Sequence, residues 1–162
     1  MGLDINTPKG QISKLQEVEL NNFLREKWSD FDFRETQKNK PGKFDGFIFN
    51  KSGECIAIYE VKCRDASFEQ MQKWGSWLIT FDKVLEGKAQ SEKLPATFYG
   101  FLYCTKDREV LCFKIAKDGR LLIPMKIEET VTQATTNGGK AQRLNAFIGI
   151  EHAIRLGKIP TP

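Results

Sequence analysis

Apolar and polar positions follow two rhythms along this chain. From Gly10 to Trp28, Ile12, Leu15, Leu20, Phe23 and Leu24 recur at helical spacing with polar residues between them, which predicts an amphipathic helix. Phe31 to Gln37 alternates Phe31 and Phe33 with polar neighbours and reads as a short strand. The basic run Lys38-Asn39-Lys40-Pro41-Gly42-Lys43 follows as a loop. Phe44 to Asn50 and Cys55 to Cys63 are rich in aromatic and β-branched residues, and Ser52-Gly53 between them predicts a hairpin.

Further on, Met71, Trp74, Trp77, Leu78, Phe81 and Leu85 predict one long helix over Ala66 to Gly87, with Gly75 a mild blemish inside it and Gly87 as its stop. Ala96 to Cys104 and Glu109 to Ile115 predict a second hairpin turning at Lys106-Asp107-Arg108, and Arg120 to Pro124 a further strand. A helix is expected from about Lys140 to Leu156, after the polar loop Thr135 to Gly139, with Gly157 ending it. The order predicts an α+β (α/β) fold with a mixed sheet in a single domain over residues 1–162.

Composition narrows the chemistry. A length of 162 residues is enough for one buried core, and no apolar run approaches the roughly 20 residues of a membrane helix. Met1 to Gly10 lacks the apolar stretch of a secretory signal, so a cytoplasmic protein is expected. Cys55, Cys63, Cys104 and Cys112 form no short C-x-x-C turn, which points to reduced thiols rather than a zinc site. With His152 as the only histidine, an enzyme of this sequence would work with carboxylates, lysine and a hard metal ion. The net charge of +4 is compatible with a polyanionic partner without requiring one.

The first hairpin concentrates that chemistry. If the turn centres between Ser52 and Gly53, Lys51 faces Glu54, Asn50 faces Cys55, and Asp45 faces Glu60. Carboxylates opposite one another on antiparallel strands have β-carbons about 5 Å apart, and Lys62 projects on the same face as Glu60. Phe47, Ile48 and Phe49 on one strand and Ile56, Ile58, Tyr59 and Val61 on the other suit a sheet buried on both faces. Two acids there repel unless a cation lies between them, and an all-oxygen donor set favours Mg²⁺ or Mn²⁺. A structural ion pair of Lys62 with Glu60 or Asp45 is the competing explanation. The triplet Glu86-Gly87-Lys88 has the same E-x-K spacing at an expected helix end.

Asp45, then fourteen residues, then Glu60-Val61-Lys62 resembles the motif of the PD-(D/E)xK nuclease superfamily, which includes restriction endonucleases, Holliday-junction resolvases and phage exonucleases. Phe44 stands where that motif usually carries proline. The resemblance runs from about Gln11 to Cys104 and implies a restriction-endonuclease-like αβββαβ core (about 11–115) followed by a C-terminal extension, 116–162. It implies that Asp45, Glu60 and the carbonyl of Val61 hold Mg²⁺ (or Mn²⁺), and that Lys62 orients or helps deprotonate the attacking water. It further implies an acid from the leading helix, for which Glu19 falls between Leu15 and Phe23; Glu26 is the next choice and Glu17 points away.

Gln70 or Gln72, Lys38, Lys40, Lys43 and Arg64 are candidates for contact with a nucleic-acid backbone. So are Lys140 and Arg143 at the expected helix start after Asn137-Gly138-Gly139. The implied activity is a Mg²⁺-dependent deoxyribonuclease, an endonuclease acting on branched or nonspecific duplex DNA, with a homodimer as the arrangement many members adopt. The alternatives are a catalytically inactive module of the same fold that binds nucleic acid or protein, and an unrelated interaction protein.

Overall fold

The structure, a computed structural model, describes residues 8–36, 44–134 and 140–161. Helix α1 (Pro8–Lys27) starts on a proline, whose missing N–H costs nothing in a first turn, and ends with Arg25 and Lys27 against the negative end of its dipole. Only its C-terminal half is anchored: Leu20 and Leu24 are fully buried, while Ile12 and Leu15 of the expected stripe are 57% and 66% exposed.

Strands β1 (Asp32–Glu35), β2 (Gly46–Phe49) and β3 (Cys55–Arg64) form an antiparallel meander. The chain then crosses over through α2 (Phe68–Trp74), β4 (Ser76–Thr80) and α3 (Phe81–Lys93) to β5 (Thr97–Cys104), which lies parallel to β3. Strand β6 (Glu109–Lys117) returns antiparallel to β5 and carries the short β7 (Arg120–Leu121). Strands β8 (Met125–Ala134) and β9 (Lys140–Gly149) precede a 3-10 turn at Ile150–His152 and a last strand, β10 (Ile154–Lys158).

The central sheet has the order β1-β2-β3-β5-β6-β10, with β7 paired to β6, and a second sheet has the order β4-β9-β8. The fold is α+β with a mixed central sheet, as the sequence predicts. Because β10 pairs with β6, the C-terminal third completes that sheet.

Each face of the central sheet has its own core. Leu20 and Leu24 of α1 pack with Phe33, Tyr59, Val61, Phe101 and Tyr103. On the other face Ile58, Phe98, Leu102 and Phe113 pack with Met71, Val84, and Trp77, Ile79, Ala146 and Ile148 of the second sheet. Successive residues of β3 therefore alternate between two buried layers, the pattern of a strand covered on both sides.

Two expected helices are corrected. The helix over Ala66 to Gly87 is in fact α2, β4 and α3. Gly75 adopts φ +85° and its N–H closes onto the Met71 carbonyl, so it is the cap that ends α2 rather than a blemish within a helix. Beyond it, Trp77 and Ile79 are buried while Ser76, Leu78 and Thr80 are less so, a strand rhythm that happens to continue the helical spacing of Met71 and Trp74. Gly87 lies inside α3, not at its end. It is buried, and a Cβ there would overlap the Phe98 ring. The helix expected from Lys140 to Leu156 is β9, the 3-10 turn and β10, because pairing to β4 and β8 satisfies that backbone as sheet. Gly157 is not a helix stop but a residue of β10, at φ +119° beside a bulge.

Candidate functional site

Backbone bonds to both neighbouring strands fix Asp45, just ahead of β2. Its N–H donates to the Tyr59 carbonyl (3.1 Å), and its own carbonyl accepts from Thr36 N–H (2.9 Å) and from the Thr36 hydroxyl (3.2 Å). Pairs Gly46–Tyr59, Phe47–Ile58 and Ile48–Ala57 keep the expected register as far as Gly46; Asp45, one residue beyond the ladder, bonds to Tyr59 and lies near enough to Glu60 for its charge to act on that carboxyl. At the turn the expectation fails: Phe49, not Asn50, pairs with Cys55, and Asn50 rather than Lys51 bonds to Glu54. A bulge between Ile48 and Phe49 takes up the difference. The turn sits one position off because the Asn50 side chain closes it, accepting from the N–H groups of Ser52 (3.0 Å) and Glu54 (2.9 Å).

The Asp45 carboxylate reaches across to β3, where Oδ2 accepts a 2.7 Å hydrogen bond from the N–H of Val61. A side chain thus continues the ladder where β2 stops. In a strand, the N–H and C=O of one residue point to the same side, so the Val61 carbonyl also emerges on the Asp45 side.

Glu60 is 3% exposed and lies between two ammonium groups. Lys62 Nζ is 3.9 Å from Oε1 and Lys83 Nζ is 3.6 Å from Oε2, an ion pair at each oxygen. Oε2 is fully buried with no hydrogen-bond partner. Burial, and then the neighbouring Asp45 charge, push the Glu60 carboxyl up to about 7 against the pull of Lys62 and Lys83. The group is therefore poised between its neutral and charged forms near neutrality, as buried groups at functional sites often are.

These residues fit a hard divalent cation. Two neighbouring carboxylates, one of them with a buried oxygen, and a backbone carbonyl on the Asp45 side make an oxygen-only donor set. Among the described residues no group of three or more His, Cys, Asp or Glu could hold a metal. Mg²⁺ commonly takes one or two carboxylates and keeps waters or substrate oxygens for the rest.

The other expected residues are placed elsewhere or differently. Glu19 is engaged by Arg108 at 2.5 Å. It stands on the helix that covers the Tyr59 and Val61 face of β3, away from Glu60 and Lys62. Glu17, expected to point away, lines a cleft with Glu35 and Thr36 and helps push the Cys63 thiol up, after burial, to about 12. Gln70 closes a capping box with Ser67, its Oε1 accepting from Ser67 N–H at 3.0 Å, which occupies the side chain locally; Gln72 is exposed. Arg64 is half-buried and turns its guanidinium onto the carbonyls of Cys63 (3.2 Å) and Leu78 (3.5 Å). Lys140 opens β9 and Arg143 lies opposite Thr130 within it, so neither stands at a helix start. Lys38, Lys40, Lys43 and Asn137 to Gly139 lie outside the described residues. All four cysteines are free.

Lys83 is the residue the sequence reading missed. Reading Ala66 to Gly87 as one helix set the wrong frame for it. With α3 beginning at Phe81, Lys83 stacks one turn before buried Gly87 and two before buried Ser91, on the face turned to the sheet. No protein-family model and no curated protein matches this chain.

Proposed function

We propose that this protein is a divalent-metal-dependent nuclease that hydrolyses phosphodiester bonds in DNA by attack of an activated water, acting as an endonuclease in the cytoplasm. The observation that carries this reading is the closeness of Asp45 to Glu60, with the Asp45 carboxylate bonded to the N–H of the next residue, Val61, beside a buried Glu60 oxygen and with Lys62 on the same strand. Four free cysteines accord with a reducing compartment. No helix among the described residues is long and apolar enough to cross a membrane.

In this reading Asp45 and Glu60, with the Val61 carbonyl, would hold Mg²⁺ or Mn²⁺. When bound, the ion supplies a lower pKa for its water and offsets charge on the phosphoryl oxygens. The protein's own part is positional. The Val61 N–H holds one Asp45 oxygen still, which aims the other. Lys62, 40% exposed at its side chain, presents its ammonium at the solvent edge beside Glu60, where it orients the water and stabilises the charge that grows on the phosphate.

A second reading rests on a specific observation: Lys62 and Lys83 already balance Glu60 without any metal. That arrangement suits a module of the same fold that binds without cutting. Incubating supercoiled, linear and branched DNA with the protein in Mg²⁺ or Mn²⁺, beside Lys62→Ala and Asp45→Ala, separates the two. Wild-type cleavage lost in both variants supports the nuclease. Absence of cleavage on every substrate, or equal cleavage by the variants, rejects it.

A further inference from the structure

Glu60 has a cation at each oxygen, and the two cations come from different places. Lys62 is two residues along the same strand, so its position follows from β3 itself. Lys83 arrives from the first turn of α3, an element that joins the site only when the crossover between β3 and β5 has packed. Its contact is with Oε2, the oxygen buried without a hydrogen bond.

We infer that Lys83 is a displaceable occupant of the metal-binding oxygen of Glu60, a positioning residue that neutralises this carboxylate before the divalent ion arrives and withdraws from Oε2 when the ion binds. The inference rests on the metal-site reading above.

Three features carry it. At 3.6 Å, Lys83 meets Oε2 across a longer contact than a close charge-assisted hydrogen bond, so it holds this oxygen less firmly than a metal ligand would. Its side chain is 31% exposed, whereas Glu60 is almost wholly enclosed; the ammonium on its flexible four-carbon stem can swing to solvent while the carboxylate stays. An ammonium and a divalent ion against the same carboxylate oxygen repel across a few ångströms, and in a poorly solvated pocket this favours withdrawal of the one that can reach solvent. Lys62 differs on the last point. It addresses Oε1 from along the strand and is free of the competition for Oε2.

Calorimetric titration of Mn²⁺ into the full chain and into Lys83→Met and Lys83→Arg tests this, at about pH 8.5 so that Glu60 is ionised throughout. Removing the competing charge in Lys83→Met is expected to tighten Mn²⁺ binding by about tenfold, with the gain shrinking as salt rises, while Lys83→Arg stays close to wild type. In the wild-type protein, Mg²⁺ should shift the NMR signals of the Lys83 ε-methylene and increase its mobility, a readout that does not depend on any variant folding. Equal or weaker binding by Lys83→Met, or a Lys83 methylene unmoved by saturating Mg²⁺, overturns the role of Lys83 alone. Wild-type protein that binds no Mn²⁺ overturns both this inference and the metal site beneath it.

Discussion

The Asp45 carboxylate accepts a 2.7 Å hydrogen bond from the backbone N–H of Val61, across the gap where β2 has ended and β3 continues. One acid of the candidate site is thereby part of the sheet's own hydrogen bonding. Two roles can be separated by substitution, because an amide can replace the acceptor but not the charge.

Asp45→Asn keeps an oxygen for Val61 N–H and should stay within about 1 kcal/mol of wild-type stability, while Asp45→Ala leaves that N–H unpaired beside a residue only 2% exposed and should cost roughly 1–3 kcal/mol. Urea denaturation measures both. Mn²⁺ affinity should fall in each variant alike, and loss of affinity only in the alanine variant would show that Asp45 matters through the backbone alone.

Glu60 sets a pH dependence with a definite sign. Its carboxyl is raised from 4.5 to about 7 in the fold, so between these values the folded chain holds a proton that the unfolded chain has released. Its stabilising contribution is whole below about pH 4.5 and is lost as pH rises through about 7, on the order of 1–3 kcal/mol in metal-free buffer. Glu60→Gln should abolish this slope and be the more stable protein at about pH 8. Urea midpoints across the range in EDTA provide the check, and parallel curves for the two proteins would contradict it.

Glu19 and Arg108 form a part-exposed ion pair remote from the Glu60 side of β3. Glu19→Gln is expected to change stability by no more than about 1 kcal/mol and to leave Mn²⁺ affinity unaltered. A marked loss of affinity would return Glu19 to the metal site as its helix acid.

Gly87→Ala should destabilise by roughly 1–3 kcal/mol, since its methyl group must displace the Phe98 ring within the core. Gly75→Ala meets no atom within 4 Å, and its cost of about 1 kcal/mol comes from the left-handed backbone instead. Thermal denaturation of the pair distinguishes crowding from backbone strain, and equal costs would undo that assignment.

The meander was legible because the aromatic and β-branched runs Phe44 to Asn50 and Cys55 to Cys63 are a local signal that tertiary packing does not override. Trp77 was misread for a physical reason. Its spacing from Met71 and Trp74 fits a helix, and only the positive φ of Gly75 breaks the frame between them. Leu144 and Ala146 in β9 carry little intrinsic strand preference; β4 and β8 on either side decide their conformation, and no local window contains that information. Lys83 was hidden by the first of these errors. For Glu19 the helix stripe predicts an inward direction but not its pairing with Arg108, which comes from a distant part of the chain.

The bulge between Ile48 and Phe49 has a consequence for how this chain tolerates change. A one-residue slip in a strand turns every following side chain to the opposite face. Here the offset created by the Asn50 turn is absorbed before it reaches Gly46, so Gly46 still pairs with Tyr59 and Asp45 is delivered beside Glu60. The bulge works as a mechanical buffer between a surface loop free to gain or lose a residue and a pairing at Gly46 that sets where Asp45 lies.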